Sequence, residues 1–265
     1  MPSSASGRLH DRFGGAVSRR NCLHGRQIKD WLRAREAGSA RAPGSRRSRR
    51  GVRRGSCGWG GGEPCARKLV YEYTRAPLDA GKDFDGRTLR IFDAGHQFET
   101  LSIRWLRAAG FELRTHRRDG EQFGFVTANG RIRGHIDGVI VAGPDIGVAW
   151  PVLFEHKALN SKSWSDTVKH GVQRSKPVYY AQLQIYMAYM ELGSALFTAL
   201  NKDTQALHHE IVAFDARAAQ ALSDKAVDVL RAAEHGELPP RIAASPDFYL
   251  CRWCAYAQRC WEGAR

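Results

Sequence analysis

The order of apolar patterns along the chain predicts an α/β or α+β domain, and three observations carry that expectation. Apolar side chains recur at helical spacing over residues 92–110 and again after Asp215. Short alternating segments separated by turn signals fill residues 111–159. The segment "VYYAQLQIYMAYMELG" at 178–193 is apolar on nearly all sides, so as a helix it has to lie buried among other elements.

Taken in order, "FDAGHQFETLSIRWLRAAG" at 92–110 places Phe98, Leu101, Trp105, Leu106 and Ala109 on one helical face, with Asp93 as its cap and Gly110 as its end. Four β segments follow as an antiparallel meander: "FELRTH", "FGFVTA", "RIRGHIDGVIVAG" and "VAWPVLFEHKAL", with "NG" between the second and third as a tight-turn signal. The polar stretch from Asn160 to Pro177 reads as a long loop, functional or mobile. The apolar helix comes next, then strands over "SALFTALNKD" and "ALHHEIVAF", then a helix capped by Asp215 over "DARAAQALSDKAVDVLRAAEHG".

Composition narrows the classes of function. The 265 residues carry a net charge of +14, but residues 1–55 alone hold 15 Lys and Arg against 3 Asp and Glu, so the remaining 210 are nearly neutral. The basic excess belongs to a tail whose Arg, Gly, Ser and Ala cannot bury enough surface to fold. The tail reads as a nucleic-acid-binding arm or as a GC-rich leader translated from a wrongly assigned start; its Arg-rich, acid-poor composition also resembles a transit peptide. A folded domain is expected over 56–265. No run of about 18 apolar residues and no signal-peptide apolar region occurs, so a cytoplasmic, membrane-free protein is expected.

The chemistry is concentrated in "VLFEHKAL" at 152–159. Side chains alternate across a strand, so Glu155 and Lys157 share a face with Leu153 and Leu159, and a charged pair in an apolar run calls for a partner, a metal or a ligand. Asp137, in "GHIDGVIV", opens the preceding strand, and a hairpin brings it beside them. Two carboxylates suit a hard divalent cation, which lowers the pKa of a bound water and steadies charge on a phosphoryl oxygen, while a neighbouring Lys orients or deprotonates that water. Each residue taken alone also has a plain reading, a cross-face salt bridge for Glu155 and Lys157 and a strand-end turn for Asp137.

"GHIDG" followed by "FEHK" resembles the Asp and E-x-K motifs of the PD-(D/E)XK nuclease superfamily. The resemblance extends to Gln182 and Tyr186 in "QLQIY", similar to the Q-x-x-x-Y motif of the RecB-like branch; at i and i+4 they share a helix face. It implies a restriction-endonuclease-like core with a central mixed sheet flanked by helices. It further implies Mg²⁺ or Mn²⁺ held by Asp137 and Glu155, with Glu99 or His96 of "GHQFE" as a further ligand, Lys157 acting on the attacking water, and Gln182 and Tyr186 holding the substrate or Lys157. Glu99 stands where related exonucleases often have a His.

"YLCRWCAYAQRCW" supplies Cys251, Cys254 and Cys260, and "PCARKLVYE" supplies Cys65, with Cys57 as its rival. Soft thiolates in fours bind zinc or an iron-sulfur cluster, and spacing does not choose between the two. The arrangement is similar to that of CRISPR-associated iron-sulfur exonucleases, which implies a [4Fe-4S] cluster that ties the chain ends together; Zn²⁺ is the alternative.

The function that follows is a metal-dependent DNA exonuclease acting at ends or single strands. The look of residues 156–190 resembles phage proteins of recombination or genome processing, with a helicase or recombination partner. Lys162, Trp164, Lys169, Arg174 and Lys176 are candidates to track a DNA strand by charge and stacking, or else form a solvated surface. The competing readings are an endonuclease of the same fold and a non-catalytic iron-sulfur or zinc protein that binds DNA or a partner.

Overall fold

The computed structural model describes residues 62–128 and 132–263. The basic tail, Cys57 and the "NG" turn lie outside the described residues. A short helix, α1 (Ala66–Tyr73), leads through a loop to the long α2 (Gly86–Ala108). The Asp85 carboxylate accepts the Thr88 N–H at 2.7 Å, so α2 begins well before the start read from its apolar spacing. The early turns were invisible to that spacing because they bury nothing: Ser102 and Leu106 are the buried residues of the helix.

A five-stranded mixed sheet in the order β1-β4-β5-β6-β7 forms the centre. Its strands are β1 (Leu113–Arg114), β4 (Gly138–Ile140), β5 (Val152–Leu159), β6 (Ser194–Asn201) and β7 (Leu207–Ala213). Neighbours pair antiparallel except β5 and β6, which are parallel and joined through α3 (Ser161–Ser175) and α4 (Pro177–Met190). A parallel pair needs such a helical crossover. α5 (Ala216–Glu234) follows the sheet, capped by Asp215, whose carboxylate accepts the N–H groups of Arg217 and Ala218.

The expected four-strand meander is corrected. β2 (Gly124–Thr127) and β3 (Ile132–His135) form a separate two-stranded hairpin, and only β1, β4 and β5 of that region join the main sheet. The segment read as one strand over 131–143 changes partners at Asp137. Ile136 is the last residue tied to the hairpin side, its N–H on the Phe123 carbonyl at 3.0 Å and its own carbonyl held by the Gln122 side chain. Gly138 then brings the chain against β1 so closely that a Cβ there would sit 2.8 Å from the Arg114 oxygen. β3 alternates buried and exposed residues while β4 is buried throughout, and neither pattern names the strand it pairs with.

The expected loop at Asn160–Pro177 is corrected as well: it is α3, started by the Asn160 side chain accepting the Ser163 N–H at 2.8 Å. Gly171 breaks the helix at φ 72°, ψ 163°, a conformation essentially reserved for glycine. Glu210 of β7 restarts it by accepting the Val172 N–H at 2.8 Å, which drops Val172 into the core.

The two sheet faces bury separate cores. On one, Leu153, Leu159, Ala195, Phe197 and Ala199 pack with Leu183, Met187 and Met190 of α4 and with Ala226 and Leu230 of α5. On the other, Val152, Phe154, Ile140 and Leu196 pack with Leu106 of α2 and Leu113. Two short helices, α6 (Tyr249–Arg252) and α7 (Ala257–Glu262), close the chain against its beginning. Tyr256 meets the Tyr71 ring at 5.3 Å, and the Asp79 carboxylate accepts the backbone N–H groups of Gln258 and Arg259 at 2.7 and 3.2 Å. No helix among the described residues is long and apolar enough to cross a membrane.

Candidate active site

The β4–β5 register pairs Gly138 with Phe154, so Asp137, one residue before β4, arrives level with Glu155 on the next strand. The Asp137 Oδ2 accepts the His156 backbone N–H at 2.8 Å, which fixes the carboxylate against β5. Glu155 and Lys157 lie on the face that meets α4, as alternation requires.

Glu155 is 1% exposed and has two differently treated oxygens. Its Oε1 accepts from Lys157 Nζ at 2.5 Å and from Gln182 Nε2 at 2.9 Å, while its Oε2 is buried with no partner among the described residues. Burial, and then the Asp137 carboxylate, push the Glu155 carboxyl up to about 8, against the pull of Lys157. For Lys157, burial works to lower the pKa, but the Glu155 and Asp137 carboxylates outweigh it and hold the group above the ordinary ammonium value. The buried base is therefore a cation, and the proton most easily lost from the pair is the acid's.

Gln182 Nε2 also lies 3.2 Å from the Tyr186 hydroxyl, so the i, i+4 pair from the apolar helix joins the same network. Burial, then the Glu155 carboxylate, raise Tyr186 above its ordinary value and keep it a neutral hydrogen-bonding group. Glu99 comes from α2. Its carboxyl is raised by burial and then by Asp137, with His96 and Lys157 opposing, so it shares the electrostatic field of the strand carboxylates. His96 stands outside, 77% exposed, with Nδ1 3.7 Å from Glu99.

The structure thus brings together Asp137, Glu155, Lys157, Gln182, Tyr186 and Glu99, and leaves His96 at the rim. Among the described residues no group of three His, Cys, Asp or Glu side chains is already arranged to hold a metal ion. The chemistry of the donor set nevertheless fits Mg²⁺ or Mn²⁺. Mg²⁺ takes one or two carboxylates and keeps several waters, and the unpartnered Glu155 Oε2 beside Asp137 offers that kind of ligation.

Two residues near the site escaped the sequence reading. Tyr179 places its ring 5.3 Å from Lys157 Nζ, and its signal was available: it precedes Gln182 by three and Tyr186 by seven, on one stripe of α4. His156 faces the opposite side of β5, with both ring nitrogens buried and unpartnered among the described residues, and burial, then Lys157 and His209, lower it to about 4.

Of the proposed strand-tracking residues, Lys162, Lys169 and Arg174 are exposed on α3. Trp164 is half-buried, its indole N–H donating to the Ala199 carbonyl at 3.0 Å and its ring packed against the core. Lys176 is paired with Asp166 at 3.2 Å.

Far along the chain from these residues, Cys65, Cys251, Cys254 and Cys260 are free thiols that line one cavity of about 220 Å³. Burial, and then neighbouring thiols, raise Cys251, and burial raises Cys254. Arg67 Nη1 approaches Cys260 Sγ at 3.9 Å, and the Tyr256 N–H donates to Cys254 Sγ at 3.4 Å.

The family model described as the PD-(D/E)XK nuclease superfamily matches residues 66–261. Among solved structures, the chain is similar to an alkaline exonuclease (LHK-Exo) from Laribacter hongkongensis at 15% identity and a TM-score of 0.45, covering 64% of this chain and 78% of that one. It is likewise similar to LHK-Exo in complex with dAMP, at 14% identity and a TM-score of 0.45, covering 67% of this chain and 92% of that one. No curated protein matches the chain.

Proposed function

The chain belongs to the PD-(D/E)XK nuclease superfamily, and from that premise we propose that it is a DNA exonuclease dependent on Mg²⁺ or Mn²⁺, working at ends or on single strands. The observation that carries the reading is the division of labour on Glu155, which lies level with Asp137: one oxygen is held by Lys157 and Gln182, and the other is buried without a partner among the described residues. Such an oxygen is expensive to bury unless a ligand claims it.

Asp137 and Glu155, with Glu99 and then His96 as further donors, would hold the cation. When bound, it supplies Lewis acidity toward a phosphoryl oxygen and a more acidic water. The residues of the chain do the rest. Lys157, kept charged by its two carboxylates, orients the attacking water and the phosphate by hydrogen bonds rather than by removing a proton. Gln182 fixes the Glu155 oxygen that Lys157 also holds, and Tyr186 holds Gln182. Lys162, Lys169 and Arg174 on α3 supply positive charge for the strand.

The reading includes a [4Fe-4S] cluster at Cys65, Cys251, Cys254 and Cys260 within the domain of residues 56–265, with residues 1–55 standing apart. What supports it is the single cavity that all four thiols line. The choice of a cluster over a lone zinc ion rests on the sequence resemblance, since thiolates in fours suit either. Work in recombination or genome processing beside a helicase belongs to the same reading and rests on the sequence resemblance.

The test is cleavage of linear, circular and single-stranded DNA by wild type and Glu155→Ala, with Mg²⁺, Mn²⁺ or EDTA. We expect metal-dependent loss of linear and single-stranded DNA by wild type alone. Cleavage in EDTA, or an active Glu155→Ala, would refute the mechanism; rapid cutting of closed circles would make the protein an endonuclease. Iron content and a brown colour after anaerobic purification separate the cluster from colourless zinc.

A further inference from the structure

Resting on that reading of Lys157, we infer that Tyr179 is a positioning residue for the nuclease site: its ring face holds the Lys157 ammonium in place for the reaction. A lysine carries its charge on a flexible four-carbon stem, so its precision has to come from what surrounds the ammonium. Glu155 Oε1 contacts the ammonium at 2.5 Å, and the Tyr179 ring has its centroid 5.3 Å from Nζ. Within about 6 Å the negative face of an aromatic ring attracts a cation.

The second contact matters because the first alone would work against catalysis. A carboxylate left as the only partner draws the ammonium onto itself and spends its hydrogen bonds there. A ring face attracts the charge without being a conventional acceptor, so it gives the ammonium a second point of attachment and leaves N–H groups for water and phosphate.

The placement of Tyr179 is well determined. It lies in the first turn of α4, three residues ahead of Gln182 and seven ahead of Tyr186, so one helix stripe delivers all three to β5. The ring is half-buried, packed on the main core and 6.5 Å from the Phe197 ring of β6, the residue paired in register with Glu155. The sheet that carries Glu155 therefore also braces the ring that faces Lys157.

The experiment compares full-length wild type with Tyr179→Phe, Tyr179→Leu and Lys157→Ala in steady-state cleavage at saturating Mg²⁺, and follows the side-chain methylene resonances of Lys157 by NMR. We expect Tyr179→Phe to keep kcat within about twofold and to keep the ring-current shift of Lys157. Tyr179→Leu should lose that shift and lower kcat on the order of tenfold with KM little changed, the scale of one desolvated cation–π contact. A Phe variant as impaired as the Leu variant, or unshifted Lys157 resonances in wild type, overturns the inference even should the Leu variant fail to fold. A dead Lys157→Ala beside a fully active Tyr179→Leu overturns the inference alone. An active Lys157→Ala overturns the reading of the site and the inference with it.

Discussion

Replacing Glu155 with Gln should stabilise the metal-free protein at alkaline pH while abolishing its cleavage. The folded state raises the Glu155 carboxyl from the ordinary 4.5 to about 8, through burial first and Asp137 second. Below about pH 4.5 the group is protonated in both the folded and the unfolded chain and contributes no difference. Between there and about pH 8 the unfolded chain ionises freely while the folded chain holds its proton, so stability falls as pH rises and the loss is complete above about pH 8. At 1.36 kcal/mol per pKa unit the loss is at most about 5 kcal/mol, a large part of the 5–15 kcal/mol that ordinarily holds a domain together.

Glutamine has the shape of the protonated acid and cannot ionise, so Lys157 and Gln182 keep an acceptor and the penalty disappears. Urea unfolding in EDTA should therefore give nearly equal stabilities for wild type and Glu155→Gln at about pH 5, and a gap of a few kcal/mol in favour of the variant at about pH 9, with unchanged m. Added Mg²⁺ should narrow the gap by stabilising wild type alone. A Glu155→Gln protein no more stable than wild type at about pH 9 without metal would show that the buried carboxylate is better compensated than its surroundings indicate.

Three further outcomes follow from the same geometry. Because a cation has to displace the Glu155 proton, Mn²⁺ affinity should rise about tenfold per pH unit and level off above about pH 8, with about one proton released in calorimetry; a flat profile would remove Glu155 from the ligand set. Gly171→Ala should cost on the order of 2–3 kcal/mol, since φ is 72° and the new Cβ would lie 3.2 Å from Glu210 Oε1; unchanged urea stability would mean the α3 kink relaxes without strain. His156→Leu should leave stability near neutral pH equal or higher, because both ring nitrogens are buried without partners among the described residues while the backbone N–H that holds Asp137 is retained; a loss above about 1 kcal/mol would reveal a hidden partner for the imidazole.

What the sequence made legible was geometry along single elements. Spacing of two on a strand put Glu155 and Lys157 on one face, and spacing of four on a helix did the same for Gln182 and Tyr186, because pitch and pleat fix those relations whatever surrounds them. The apolar helix at 178–193 and the final helix capped by Asp215 were legible for the same reason. Misreadings arose where a partner elsewhere decided the structure. Asn160–Pro177 has too few apolar residues to announce a helix, yet Asn160 starts it, and Glu210, 38 residues beyond Val172, restarts it past Gly171. The first two turns of α2 bury nothing and are held by the Asp85 cap, so a method that seeks apolar periodicity begins the helix too late.

The site itself shows why register carries more of the chemistry than composition does. Had β4 slipped by one residue against β5, Asp137 would face away from Glu155, and Glu155 would lose a neighbour that helps burial to raise it. The slip is opposed on several sides at once. Position 138 passes the Arg114 carbonyl so closely that only a glycine has room there, Ile136 is fixed to the hairpin by Phe123 and Gln122, and the His156 N–H holds Asp137. The chain change at Asp137, which broke the expected meander, is therefore the feature that sets the acid beside its partners: a continuous strand there would have committed the Asp137 backbone to one sheet or the other. One glycine, one glutamine amide and two backbone N–H groups, none of them acidic or basic, decide where the charges meet.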